Sequence, residues 1–300
     1  MFIIHYMNQF EIVSNITNHI VNDTYIHKYE NVISYKYDLC NPKLIIIHEN
    51  RDITPDTKYY FVFDCPGEDA LGHWVYESFI FHSLYSELKR QYPTLQILSS
   101  NKKKYVKILL RFFGLDDVVT YEIDSDKNNV CFFAPIISLN HLTDAIVFKK
   151  YINIYVDSIK SKLIGEFPKK NKIVFLPRNT VDNYAVNDRT VPVNDEIRKN
   201  VIENDGSVIN TYELNNITYQ YNIVNNSDII IIDYGSSFNF NCIFLENKKI
   251  ILLCDGDIDF YLSFPANKIL FDYISNKNNI VFVNFRVPNF SFEHNIKTHL

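Results

Sequence analysis

Ten short apolar runs recur along the chain: "KLIIIHE", "YYFVFDC", "LQILSS", "DVVTYE", "NVCFFAPIISL", "NKIVFLPR", "SVINTYEL", "DIIIID", "KKIILLC" and "NIVFVNF". Most are continuous rather than alternating with polar residues, which is the pattern of strands buried on both faces. Helical periods lie between several of them. Phe148, Ile152, Tyr155, Ile159, Leu163 and Phe167 fall three or four apart, so the spacing predicts an amphipathic helix over 148–167. "GHWVYESFIFHSLYSELKRQ", "KYVKILLRFFG", "VNDEIRKNVIEN" and "TYQYNIVNN" are further helical stretches. This alternation predicts an α/β fold with parallel sheets covered by helices on both faces.

Pro168 in "EFPKKNK" breaks the long helix, and a strand resumes at Ile173. The domain boundary is therefore expected there, with an N-terminal α/β domain over 1–168 and a C-terminal domain over 169–300 whose last segment is free to pack back on the first. The second half reads as strand 172–177, helix 194–204, strand 207–212, helix 218–226, strand 228–233, helix 238–245 and strand 249–254, a Rossmann-like unit.

Composition narrows the class without changing that outline. A chain of 300 residues, 47% hydrophobic and 22% charged, suits two globular domains. Heavy use of Asn, Ile, Lys, Tyr and Phe is the bias of an AT-rich gene and discounts single Asn or Lys residues as signals. The net charge of −5 gives no broad basic field, which argues against a nucleic-acid partner held through its phosphates. Cys40, Cys65, Cys131, Cys242 and Cys254 are scattered, mostly in apolar runs, and read as reduced core residues rather than zinc ligands. No run approaches the length of a membrane span and the start has no secretory pattern, so the expectation is no transmembrane segment and a cytoplasmic location, the host's if the gene is viral.

Two segments carry candidate chemistry. "DYGSSFNFNCIF" follows the buried run ending at Asp233, so the Gly235–Ser237 turn occupies the carboxyl end of a parallel strand, where such sheets bind ligands. Gly235 allows a sharp turn, Ser236 or Ser237 can cap the next helix, and the amides of that helix start attract an anion. A capped connection with no ligand is the alternative. "DCPGEDALGHWVYES" follows the run "YYFVF" in the same way. With a helix beginning near Gly72, His73 and Glu77 share one face, where the carboxylate orients the imidazole as a general base. Packing of His73 with a solvated Glu77 is the alternative there. Trp74 reads as core or as the wall of a sugar site.

These residues also carry a family resemblance. "GHWVYESFIFHSLYSEL" resembles the His-Trp/Phe-x-x-Glu/Asp opening helix of family 61 glycosyltransferases (DUF563-like proteins). "KIVFLPR", "DRTVPVNDEIRKNV" and "NNSDIIIIDYGSSFNFNCIF" resemble, in the same order, their strand ending in Ser-Arg, their Arg-rich Asn-Glu-Glu helix start and their strand leading to His-Gly-Ala, then Leu, Asn and an aromatic. Tyr234 stands in place of the family's His before Gly, and Pro177 in place of Ser before Arg178.

The resemblance implies a GT-B fold, two Rossmann-like domains with parallel sheets facing a cleft. It also implies inverting, metal-independent transfer of a sugar from a nucleotide donor, a UDP-sugar, to a hydroxyl of a glycan or glycoprotein. By matching position His73, Glu77 and, in reserve, Asp69 are the catalytic candidates. Arg178, Arg189, Tyr234, Gly235, Ser236, Ser237 and Asn241 are the donor-binding candidates, and no metal or other cofactor is expected. The acceptor hydroxyl would lose its proton to His73 as it attacks, while the arginines and turn amides meet the charge of the departing diphosphate.

Two competing readings stand beside this one. Asp255, Asp257 and Asp259 in "ILLCDGDIDF" could hold a divalent cation as in metal-dependent GT-A enzymes, or form a polar turn between strands. The fold could also serve as a catalytically inactive glycan-binding module.

Overall fold

A computed structural model describes residues 32–38, 44–46, 56, 58–62, 79–98, 104–116, 119–120, 130–136, 145–163, 172–177, 193–210, 216–256, 258–263 and 265–300. The chain forms two compact units, Met1–Tyr155 and Val156–Leu300. Both are mixed α/β with parallel sheets.

The first unit contains strands β1 (Val32–Asp38), β2 (Leu44–Ile46), β3 (Lys58–Val62), β4 (Gln96–Leu98), β5 (Val119–Thr120) and β6 (Val130–Ile136). Their order in the sheet is β2-β1-β6-β3-β4-β5. The pair β1–β2 is antiparallel, and β1–β6, β6–β3, β3–β4 and β4–β5 are parallel. Helices α1 (His82–Gln91) and α2 (Lys104–Phe112) intervene between β3 and β4 and between β4 and β5. Strands β3, β4 and β5 step outward one way, and β6 returns to the other side of β3, so the winding reverses at β3. Leu84 and Leu88 on α1, Val106 and Leu109 on α2, and Phe61 and Ile97 on the strands are buried together in this unit. An aromatic group completes it: the His82 ring lies 4.7 Å from Phe113 and 6.1 Å from Tyr155. Tyr155 belongs to α3 (Ala145–Lys160), the helix predicted over 148–167. It closes earlier because the chain tightens after Lys160, the Leu163 N–H bonding the Lys160 carbonyl at 3.1 Å.

The second unit is the Rossmann-like half. Strands β7 (Ile173–Leu176), β8 (Ser207–Val208), β9 (Ile229–Asp233), β10 (Lys249–Cys254) and β11 (Asn279–Asn284) form an all-parallel sheet in the order β11-β10-β9-β7-β8. Counted within the unit this is 2-1-3-4-5, one of the two common doubly wound orders. Helices α4 (Asn194–Glu203), α5 (Ile217–Asn225), α6 (Ser236–Cys242), α7 (Ile258–Leu262) and α8 (Pro265–Ser275) fill the connections, and α9 (Phe292–Asn295) follows β11.

Side-chain alternation explains how both faces are covered. Ile173, Phe175, Ile229, Ile231, Ile251 and Leu253 form one cluster with Ile197 and Val201 of α4 and Phe292 of α9. The intervening residues Val174, Leu176, Ile230, Ile232, Ile250 and Leu252 are also fully buried, and α5, α6 and α8 supply Tyr221, Phe238, Phe240 and Leu270 as buried partners for the unit. A right-handed crossover places its helix on one face when the next strand is added to one side, and on the other face when direction reverses. That is why α4, which leads from β7 out to β8, does not share its cluster with α5, α6 and α8; α9, which follows the last strand, joins the cluster of α4. Each buried Ile or Leu on these strands contributes about 2 kcal/mol of apolar burial.

Three expected elements differ in extent. Of the strand over 207–212 the described part is Ser207–Val208, with the Ile209 N–H also bonding the Phe175 carbonyl at 2.9 Å, the helix over 238–245 runs Ser236–Cys242, and β10 leads into helices α7 and α8, so the aspartates after it do not form a turn between strands.

Candidate functional site

In the second unit, β8 lies on one side of β7 and β9 on the other, so the carboxyl ends of β7 and β9 flank the point where the strand order reverses. The reversal of strand order is the general ligand position in open sheets of this kind. Register decides which residues meet it. Leu176 pairs with Ile232, so buried Pro177 falls opposite Asp233. On the other side Leu253 pairs with Asp233, and the Tyr234 N–H donates to the Leu253 carbonyl at 2.8 Å.

Two residues beyond the last residue of β9 and of β10 stands a glycine with a backbone that L side chains rarely adopt: φ is 130° at Gly235 and 149° at Gly256. A Cβ built on either meets no described atom within 4 Å. Conformation, not crowding, demands glycine at both places. The tips of adjacent strand ends therefore each carry a residue without a side chain.

Gly235 is itself the residue preceding α6, and no side chain caps that helix. This corrects the expectation that Ser236 or Ser237 caps it: the two serines are its first two residues, one position too late. Ser237 is half-buried and Asn241, one turn on, is fully buried. The Asn241 Nδ2 donates to the Ser237 carbonyl at 2.9 Å and to Ser237 Oγ at 3.2 Å, while its Oδ1 accepts from Gln220 Nε2 of α5 at 2.6 Å. Asn241 thus braces the turn from beneath, tying Ser237 of α6 to Gln220 of α5.

Tyr234, the residue after β9, packs among aromatic rings. Its ring lies 5.0 Å from Tyr261 of α7 and 6.0 Å from Phe238 of α6. Burial pushes its hydroxyl up to about 12, with the neighbouring Cys254 and Tyr261 adding to the shift. The Tyr261 hydroxyl donates to Asp255 Oδ1 at 3.0 Å. Cys254 is buried and its thiol is likewise pushed up to about 12, first by burial and then by the carboxylates of Asp255 and Asp233. At neutral pH it is a packed thiol, not a nucleophile. Tyr261, Cys254 and Gln220 had no signal in the sequence beyond their positions in ordinary apolar or helical runs.

Asp233, 4% exposed, and Asp255 place negative charge at these strand ends. A diphosphate bound above them requires a cation, and Arg178, which follows Pro177, is the expected source. Arg178 and Arg189 lie outside the described residues, as do Asp69, His73 and Glu77. The segment bearing the last three follows β3, the strand at which the first sheet reverses its winding, so both expected constellations leave a switch strand of their own sheet. Of the three aspartates offered for a cation, Asp255 is engaged by Tyr261, Asp259 is exposed on the first turn of α7, and Asp257 lies outside the described residues. No helix among the described residues is long and apolar enough to cross a membrane. No family model matches the chain, and no curated protein does.

Proposed function

We propose that the chain is an inverting, metal-independent glycosyltransferase of the GT-B type, similar to family 61, that moves a sugar from a UDP donor to a hydroxyl of a glycan or glycoprotein. The single observation that supports it most is the Gly235 turn standing at the β7/β9 reversal of a 2-1-3-4-5 parallel sheet. In this reading the second unit holds the nucleotide. The amides that open α6 and the Ser237 hydroxyl meet diphosphate oxygens, Arg178 and Arg189 offset the carboxylates beneath, and the Tyr234–Tyr261 pair lines the crevice.

The first unit would carry the acceptor and the base. His73, oriented by Glu77, takes the acceptor proton as the new bond to the anomeric carbon forms; the bond to the diphosphate oxygen breaks and UDP leaves with the electron pair. Asp69 is the reserve base. The location proposed with this activity is the cytoplasm.

Calorimetric titration of the full chain with UDP, with and without EDTA, tests the reading. Binding that survives chelation and is lost in Arg178→Ala supports it. Binding that needs a divalent cation would transfer the assignment to Asp255 and Asp257, and absence of UDP binding would overturn it. Loss of turnover with retained UDP affinity in His73→Ala assigns the base, and unchanged turnover removes it.

A further inference from the structure

Strand β11 ends the second sheet, and its lateral edge has none of the devices that keep sheet edges apart. The strand reads "NIVFVN", without a charged residue or a proline. It pairs residue for residue with β10 from Asn279 to Asn284, so no bulge turns it away from a neighbour. Phe282, its largest side chain, is 44% exposed, with its ring 5.6 Å from that of Phe271 on α8. Val281 and Val283 point to the other face and pack into the cluster of α4 and α9.

The ladder fixes which backbone groups face outward. The Asn279 N–H donates to the Lys248 carbonyl at 2.8 Å and the Phe285 N–H to the Cys254 carbonyl at 3.0 Å. In a parallel pair such bonds recur at every second residue, so Asn279, Val281, Val283 and Phe285 direct their amides and carbonyls at β10. Ile280, Phe282 and Asn284 direct theirs away from it, and no described strand takes them.

We infer that this lateral edge docks a second copy of the chain, β11 pairing antiparallel with β11 of that copy about a two-fold axis at Phe282, so that two five-stranded sheets become one. Centring the axis on Phe282 uses all three outward residues. Phe282 meets its own copy and Ile280 meets Asn284, each pair exchanging both of its hydrogen bonds, while Val281 meets Val283 between them. Beyond the strands the same register sets Lys277 opposite Val287 and Arg286 opposite Asn278, so no like charges are opposed. A strand from another protein would find the same backbone groups; the agreement of outward groups, apolar residues and flanking charges about one axis favours a second copy. The inference does not depend on what the carboxyl ends of the strands bind.

Sedimentation velocity of the full chain over a concentration series is expected to show a monomer–dimer equilibrium. Phe282→Lys sets two ammonium groups against each other at the axis and should raise the dimer dissociation constant about tenfold, with the cooperative thermal transition retained. Phe282→Thr, which keeps the strand preference, should act in the same direction and serves where the lysine variant does not fold. The register has its own readout. Residue 282 faces its own copy at a Cα separation of about 5.5 Å, which a disulfide spans. Phe282→Cys oxidised with diamide should therefore give a covalent dimer, and the parent chain and Val281→Cys should not. A parent chain that stays monomeric throughout the series would overturn the inference and leave the edge to a strand from another protein. Association that continues beyond a dimer would overturn the two-fold axis. A dimer that Phe282→Lys leaves intact, or that Phe282→Cys does not cross-link, would place the contact elsewhere and overturn the inference as well.

Discussion

The two edges of the second sheet are built on opposite plans. At its amino edge the chain is locked to itself. Gly206, entering β8, would place a Cβ 2.6 Å from the Ile173 carbonyl oxygen and 2.8 Å from that of Val201. Asn278, entering β11, donates to the carbonyls of Leu245 and Ile274 at 2.9 Å each and accepts the Lys248 N–H at 3.0 Å. At the carboxyl edge, Gly235 and Gly256 have no described atom within 4 Å of such a Cβ, and charged and aromatic groups converge beside them. One edge uses glycine because there is no room; the other uses it because the backbone takes a positive φ. Fold stability and candidate chemistry are thus assigned to opposite ends of the same strands, and substitutions at the two ends should separate them.

The largest effect is expected from Gly206→Ala. The clashing atoms are mostly backbone, which cannot rotate away, so a loss of about 3 kcal/mol is expected, with UDP affinity of the folded fraction unchanged. Thermal denaturation followed by circular dichroism measures the first and calorimetry the second. A parallel loss of affinity would break the separation.

Alkaline pH should act next, and at the other edge. Tyr234 ordinarily ionises near 10 but is raised to about 12 in the folded chain. The unfolded chain releases that proton first, so stability is intact below pH 10 and falls between pH 10 and about 12, by about 2 kcal/mol for this group. Tyr234→Phe should flatten the fall over that interval in a denaturant series. An unaltered profile would show that the ring is not held as described. Gly235→Ala should rank third in stability, costing about 1–2 kcal/mol through its φ alone, yet it should lower UDP affinity more than tenfold by closing the approach to the backbone.

Much of this contrast could be anticipated from the residues, and the exceptions have physical causes. Strands β7, β9 and β10 announce themselves because burial on both faces leaves no polar position to confuse the pattern. β1, "VISYKYD", was not expected, since its Tyr and Lys residues interrupt any apolar run; it pairs along its whole length with β6. Helices α7 and α8 were hidden behind "CDGDID", where three aspartates suggest a turn and mask the helical stretch "PANKILFDYIS". The Gly235 turn was legible from its place after a strand. Its support was not: Gln220 and Asn241 are 21 residues apart in a chain rich in both residue types' polar kin, and only packing of α5 against α6 joins them. Tyr261 likewise reaches Tyr234 and Asp255 from a helix that no spacing links to the turn.

The smallest effect belongs to the ion group at the amino edge, and it decides what holds that edge. Glu246 Oε1 accepts from Lys160 Nζ at 2.7 Å and from Lys277 Nζ at 3.1 Å. Those bonds, Lys160's first, hold its carboxyl below the usual range. A lowered folded pKa means that the contribution is present above the ordinary carboxylate pKa and disappears as pH falls through the lowered value. Glu246 is 45% exposed, so solvent screens both pairs and the contribution at neutral pH is no more than about 0.5 kcal/mol. Glu246→Gln should therefore cost that little at pH 7, less in 1 M salt and progressively less as the pH is lowered below the ordinary carboxylate range, as read from urea midpoints. A cost rivalling that of Gly206→Ala would mean that charge rather than close packing locks the amino edge, and the contrast with the open carboxyl edge would then vary with pH and salt.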